Sequence, residues 1–101
     1  MIIVSGKAKV KPGAVEAVRG VMEKAILATR QEAGCLDYSY GLDVLDPDTI
    51  IVLEYWENAE ALEAHFKQPH MAEWIGALGK AGVIEQEIKA FEIASERTLL
   101  G

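Results

Sequence analysis

The 101-residue chain has a single cysteine, only three prolines and no apolar run long enough to cross a membrane. One cysteine, Cys35, cannot form an internal disulfide, which is typical of a chain that works in the reducing cytoplasm. A membrane span needs about 18 consecutive apolar residues, and no basic region precedes the short apolar stretch at the N-terminus, so a signal peptide is not predicted either. We expect one cytoplasmic domain over residues 1–101.

Positive charge is also scarce, with 10 lysine and arginine residues against 16 aspartate and glutamate residues and a net charge of -6. Nucleic-acid binding requires clustered basic side chains. The only basic cluster is Lys7, Lys9 and Lys11, whose alternate spacing indicates one solvated face of a strand. Glycine-rich nucleotide-binding motifs are absent as well. Nucleic-acid and nucleotide binding therefore have no support in the sequence.

The spacing of apolar residues predicts seven elements in the order β-α-β-β-α-α-β. Alternation of apolar and polar residues indicates strands, whereas spacing of three and four residues indicates helices. The predicted strands are 2–11, 35–45, 49–57 and 83–95, and the predicted helices are 14–33, 59–68 and 70–80.

Local signals mark the ends of these elements. Gly34 stands where a left-handed glycine should cap the first helix. The run Asp46-Pro47-Asp48-Thr49 has the residues favoured in a type I turn, and Asn58 is a good N-cap for the second helix. Because crossover connections are right-handed, the helices should lie on one face of the sheet. The predicted class is α+β, with a four-stranded antiparallel sheet in a ferredoxin-like arrangement.

The third strand is apolar on both faces. Ile50, Val52 and Trp56 lie on one face, and Ile51, Leu53 and Tyr55 lie on the other. A sheet that is covered by helices on one side normally has polar residues on the second face, which is exposed to solvent. We therefore expect the second face to be buried in a homodimer. The alternative is that the strand is merely long and central.

Several stretches of the chain resemble the antibiotic biosynthesis monooxygenase family. They are Lys11-Pro12-Gly13, the run EAGCLDY at 32–38, the run EYWENAEALEAH at 54–65 and Pro69-His70-Met71. The resemblance covers nearly the whole chain and implies a dimeric α+β barrel built from two ferredoxin-like sheets. It also implies a small cofactor-independent oxygenase that uses molecular oxygen on phenols or quinols.

Other members of this superfamily degrade haem, isomerise signalling molecules or have no known activity, so the reaction is open. Some of the oxygenases, including the haem-degrading ones, use an asparagine near the pocket. Here the only asparagine is Asn58, which looks like a helix cap. The alternatives that remain are an isomerase or haem-degrading relative, and a non-catalytic module for ligand binding or dimerisation.

His65 is the predicted catalytic base. Leu62 and Ala61 precede it by three and four residues, so its ring should border the core-facing side of the second helix. A neutral imidazole at an apolar boundary can take a proton from a phenol at neutral pH. The alternative is a half-buried structural histidine bonded to a backbone carbonyl.

The other predicted site residues would bind an aromatic substrate. His70 would bond to it at the pocket mouth, or else be an ordinary residue at a helix start. The aromatic residues would form the pocket wall, or else belong to the core. The predicted substrate-binding residues are Tyr40, Glu54, Trp56, Phe66, His70 and Trp74.

No metal site and no cofactor are predicted. His65 and His70 are five residues apart across a proline, which does not align two ligands on one helix. Glu73 is the nearest third ligand in the sequence, and Cys35 is remote.

Overall fold

A computed structural model describes all residues from 1 to 101 and contains the seven predicted elements in the predicted order. None of the three helices is both long and apolar enough to cross a lipid bilayer. The elements are β1 (Ile2–Val10), α1 (Ala14–Thr29), β2 (Cys35–Asp43), β3 (Asp46–Trp56), α2 (Ala59–Phe66), α3 (Pro69–Ala81) and β4 (Val83–Glu92).

The four strands form one antiparallel sheet in the order β2-β3-β1-β4, which confirms the predicted ferredoxin-like α+β class. Alternate residues of β1 and β3 are buried against the helices, and we call this the inner face of the sheet. The main core joins Val10, Ile50 and Val52 of the sheet to Val18 of α1 and Trp74 of α3. The buried residues of α1 recur at spacings of three and four residues, so one face of this helix packs in the core.

Helix α1 ends at Thr29, four residues before the predicted end at 33. The backbone N–H groups of Gln31 and Glu32 bond instead to the carbonyls of Ala28 and Thr29, in tighter turns that break the helix. Gly34 has the expected positive φ of 82°, but Arg30 is the cap residue. The early end turns Glu32 back toward α2 and α3, which decides the geometry of the site described below.

The predicted turn at Asp46-Pro47-Asp48-Thr49 is wrong. Asp43 pairs directly with Asp46, so the hairpin turns at Val44–Leu45. The carboxylate of Asp46 accepts a hydrogen bond from the Thr49 hydroxyl at 2.9 Å within β3. Pro47 has no backbone N–H to donate. It precedes Thr49, the first β3 residue that pairs with β1, so the β1–β3 ladder loses no hydrogen bond. The Asp-Pro signal therefore belongs to a strand start.

The remaining ends of the elements agree with the predicted ends within three residues. Asn58 caps α2 as predicted, since its Oδ1 accepts a hydrogen bond from the Ala61 N–H at 2.9 Å.

The outer face of the sheet, which points away from the helices, carries a row of apolar residues. Leu53 and Phe91 are 37% and 48% exposed there. Lys7 and Lys9 lie on the same face and pair with acidic side chains of the β2–β3 hairpin at 3.8 and 3.1 Å. The third strand is thus apolar on both faces, as the sequence predicts.

Candidate functional site

A cavity of about 660 Å³ lies between α3 and the inner face of the sheet. Ten of its fifteen lining residues are hydrophobic. Strand β4 forms one side of it, and this strand is exposed along almost its whole length, so the cavity opens there. Four of the predicted site residues line it: Tyr40, Glu54, Phe66 and Trp74.

Glu54 is a buried carboxyl group in the wall of this cavity. It is 5% exposed, and its Oε1 accepts a hydrogen bond from the Trp56 indole N–H at 2.9 Å. Alternation along β3 puts both side chains on the inner face. Burial, with a smaller contribution from the negative charge of Glu32, raises the pKa of Glu54 to about 7, although the Trp56 hydrogen bond opposes this shift. Glu54 can therefore gain or lose a proton at neutral pH.

His65 is fully buried in a second part of the site, behind the cavity. Its Nδ1 lies 2.9 Å from Glu32 Oε2, and because a carboxylate only accepts, Nδ1 carries the proton. Its Nε2 has no hydrogen-bond partner. Burial lowers the pKa of His65, and the nearby Glu32 only partly offsets this effect. The ring is therefore neutral at pH 7 with a free lone pair on Nε2.

The alternative of a backbone-bonded histidine is wrong, because the ring's partner is the carboxylate of Glu32. His70 Nε2 lies 2.7 Å from the same oxygen of Glu32. His70 therefore faces Glu32 and does not line the cavity. Its hydrogen bond to a substrate at the pocket mouth stays a prediction. Glu32 was not among the predicted site residues, because it was placed in the last turn of α1.

Glu32, His65 and His70 place one ligand atom each within 4.8 Å of one another. The sequence suggested Glu73 as the nearest third ligand, which is wrong because Glu73 pairs with Lys24 at 3.2 Å. A carboxylate and two imidazoles would suit Zn²⁺. However, a metal on His65 Nδ1 would move the proton to Nε2, where no acceptor exists, whereas metal-bound histidines normally donate that second N–H. The cluster fits a hydrogen-bonded network better than a metal centre.

Trp56 and Phe66 connect the two parts of the site. Trp56 is fully buried and does not line the cavity. Its ring packs on His65 at a centroid distance of 4.7 Å while its N–H holds Glu54. Phe66 lines the cavity and its ring lies 5.3 Å from that of His65. His65 is thus one side chain away from the cavity.

Two tyrosines and Trp74 form a hydrogen-bonded chain beside the cavity. The Trp74 N–H donates to the Tyr40 hydroxyl at 3.2 Å, and the Tyr40 and Tyr38 hydroxyls lie 2.6 Å apart. Burial is the main cause that raises the pKa of both tyrosines, so both stay neutral phenols. Tyr40 lines the cavity, so its hydroxyl is one of the few polar groups that could orient a bound ligand.

The raised pKa of Glu54 makes a prediction about stability. The unfolded carboxyl ionises near its ordinary pKa of 4.5 and the folded one near 7, so stability should fall as pH rises through this window and level off above it. A shift of this size corresponds to about 3 kcal/mol. We expect Glu54→Gln to match the wild type in urea unfolding at about pH 4 and to be more stable by up to about 3 kcal/mol at about pH 8. Equal stability of the two proteins at both pH values would contradict the burial of a carboxylate here.

Comparisons with known proteins agree with this architecture. The chain is 33% identical over 98 residues to an uncharacterized protein of Synechocystis sp., a match that covers 97% of this chain and 67% of that protein. It is 29% identical over 102 residues to the probable quinol monooxygenase YgiN of Escherichia coli, a match that covers 91% of this chain and 97% of YgiN.

Among solved structures, a putative antibiotic biosynthesis monooxygenase from Deinococcus radiodurans superposes with a TM-score of 0.90 at 29% identity, over 100% of both chains. The family model for antibiotic biosynthesis monooxygenases matches residues 1–77, which include β1, α1, β2, β3, α2 and most of α3. This chain belongs to the antibiotic biosynthesis monooxygenase family.

Proposed function

We propose that the protein is a small cofactor-independent monooxygenase that acts on a quinol, a polyphenol or a similar aromatic compound. The observation that carries the proposal is the cavity, which combines aromatic walls with a buried carboxyl group of pKa about 7. The similarity to a probable quinol monooxygenase supports the same class of substrate. We place the reaction in the cytoplasm, because the only cysteine is a free thiol.

The chemistry requires an electron-rich substrate anion. A hydroquinone and dioxygen give a hydroxyquinone and water, and the quinol anion itself supplies the electrons that a cofactor would otherwise carry. The protein then has to remove a proton, exclude water and stabilise developing charge. An apolar cavity with a few polar groups supports these tasks.

We propose His65 as a general base for this step. Glu32 fixes the Nδ1–H, so the lone pair is on Nε2, which has no partner in the protein. A carboxylate that orients an imidazole in this way favours its action as a base. Phe66 lies 5.3 Å from the ring, lines the cavity and is 58% exposed, so we propose that its side chain rotates to give the substrate access to Nε2.

Oxygen uptake tests this function. We expect the purified protein, with no flavin, haem or metal added, to consume about one dioxygen per hydroquinone and to be inactive on it under anaerobic conditions. Heat-denatured protein provides the control for spontaneous oxidation. An anaerobic product of unchanged mass would indicate an isomerase, and a bound aromatic that is never turned over would indicate a ligand-binding module; both outcomes contradict the proposal.

We propose that the working unit is a homodimer joined through the outer faces of the two sheets. Leu53 and Phe91 are partly exposed there, which would be costly in a monomer. The dimer should bury more than about 1,000 Å² in total. We expect Leu53→Asp to sediment as a monomer, while Leu27→Asp, on an exposed position of α1, stays dimeric. A wild-type monomer at micromolar concentration would overturn this proposal.

A further inference from the structure

We propose that Glu54 is a second catalytic acid–base residue, which accepts one of the two hydroxyl protons of the quinol directly from the substrate in the cavity. This inference rests on the proposed function. It assigns a role in the reaction to a residue that the sequence marks only as substrate-binding.

The stoichiometry of the reaction requires more than one proton transfer. When a hydroquinone becomes a hydroxyquinone, both ring hydroxyl groups lose their protons, and the water that leaves carries two. In the step assigned to Glu54, the quinol O–H bond breaks, its electron pair stays on the quinol oxygen, and the proton moves to the carboxylate to form a carboxylic acid. The acid later returns this proton to the oxygen atom that leaves as water, so Glu54 is regenerated.

The geometry of Glu54 suits a direct transfer. Its Oε1 is held by the Trp56 N–H at 2.9 Å, which fixes the orientation of the carboxyl plane. Its Oε2 makes no hydrogen bond in the protein and is not fully buried, and the side chain lines the cavity. The free oxygen is therefore open to a ligand. His65, by comparison, stands behind Phe66.

The surroundings of Glu54 set its protonation. Glu32 approaches from the α1–β2 connection and Tyr40 from β2. Strand β4 faces the cavity with Gln86 and Ile88, while Glu87 and Lys89 point to the outer face, and α3 contributes no charged residue. No cation is buried beside the carboxylate, so its ionisation depends mainly on burial.

Glu54→Gln is the sharpest variant, because glutamine keeps the size of the side chain and an oxygen that can accept from Trp56. We expect kcat for hydroquinone to fall about 100-fold with little change in KM. The control is Glu63→Gln, which removes an exposed carboxylate of α2 that does not line the cavity and should retain wild-type kcat. A Glu54→Gln enzyme within twofold of the wild type would overturn the inference.

Tryptophan fluorescence gives a readout that does not depend on activity. The chain has two tryptophans, and the indole of Trp56 donates to Glu54. We expect a fluorescence transition near the pKa of about 7 in the wild type and none at this pH in Glu54→Gln. If the wild type shows the transition but oxidises no quinol, the proposed function fails while the ionisation of Glu54 stands. If the wild type oxidises quinols and Glu54→Gln keeps both the transition and the activity, only the inference fails.

Discussion

Replacing His65 by alanine should lower kcat/KM for a quinol substrate by about 10² to 10⁴-fold, the usual contribution of a general base. The imidazole is neutral because burial lowers its pKa, and Glu32 holds its Nδ1–H at 2.9 Å. Alanine has no group that can accept the substrate proton. The variant should still fold as a dimer, since the core formed by α1, α3 and the sheet does not include His65.

His70→Ala is the matched control for His65→Ala. It removes the other imidazole on Glu32 Oε2 but leaves the free Nε2 of His65 in place, so its activity should fall less than tenfold, well below the range expected for a lost general base. Thermal melting and quinol oxidation are measured on the same preparations. A His65→Ala protein with normal turnover and a stability lower by about 1–3 kcal/mol would show that His65 serves only as the hydrogen-bond partner of the half-buried Glu32 carboxylate.

Trp56→Ala should destabilise the fold by about 3–5 kcal/mol, the usual cost of removing a large aromatic side chain from a core. Trp56 is fully buried. It packs edge-on against Tyr38 at 6.4 Å and on His65 at 4.7 Å. Alanine would also leave Glu54 Oε1 without its donor, so the loss combines a cavity with an unpaired buried oxygen. Urea unfolding at fixed pH measures the change.

Trp56→Phe separates these two contributions, because phenylalanine keeps most of the packing but has no N–H. It should cost about 1–3 kcal/mol, the range for one orphaned buried acceptor. Leu27→Ala, at a position that is 65% exposed on α1, should cost about 0.5 kcal/mol or less. Equal effects of Trp56→Ala and Leu27→Ala would contradict the assigned position of Trp56 in the core.

Features that depend on neighbours in the chain could be predicted from the sequence. The Asn58 cap follows from one side chain and the N–H three residues later. The placement of Glu54 and Trp56 on one face follows from the two-residue period of a strand. In α3 the three-residue spacing of Met71 and Trp74 places both in the core, whereas Ile75, one turn after Met71, is 54% exposed at the cavity.

Features that depend on distant residues could not be predicted. Glu32 and His65 are separated by 33 positions, and nothing in the local pattern of either one indicates the other. Gly34 is left-handed as predicted, but it follows the tight turns at Gln31 and Glu32 instead of capping the helix directly, so it did not reveal the early helix end. The position of the hairpin turn also depends on a distant residue, since the Asp46 carboxylate accepts a hydrogen bond from Lys9 of β1, 37 positions away, at 3.1 Å.

In the proposed reaction, dioxygen supplies an oxygen atom to an aromatic substrate with no cofactor. The most direct test is mass spectrometry of the product formed from hydroquinone under isotopically heavy dioxygen, with metal-free and flavin-free wild-type protein. We predict a hydroxyquinone that carries one heavy oxygen atom, with the second heavy atom in water. A product without heavy oxygen, formed at the same rate with and without dioxygen, would contradict the account.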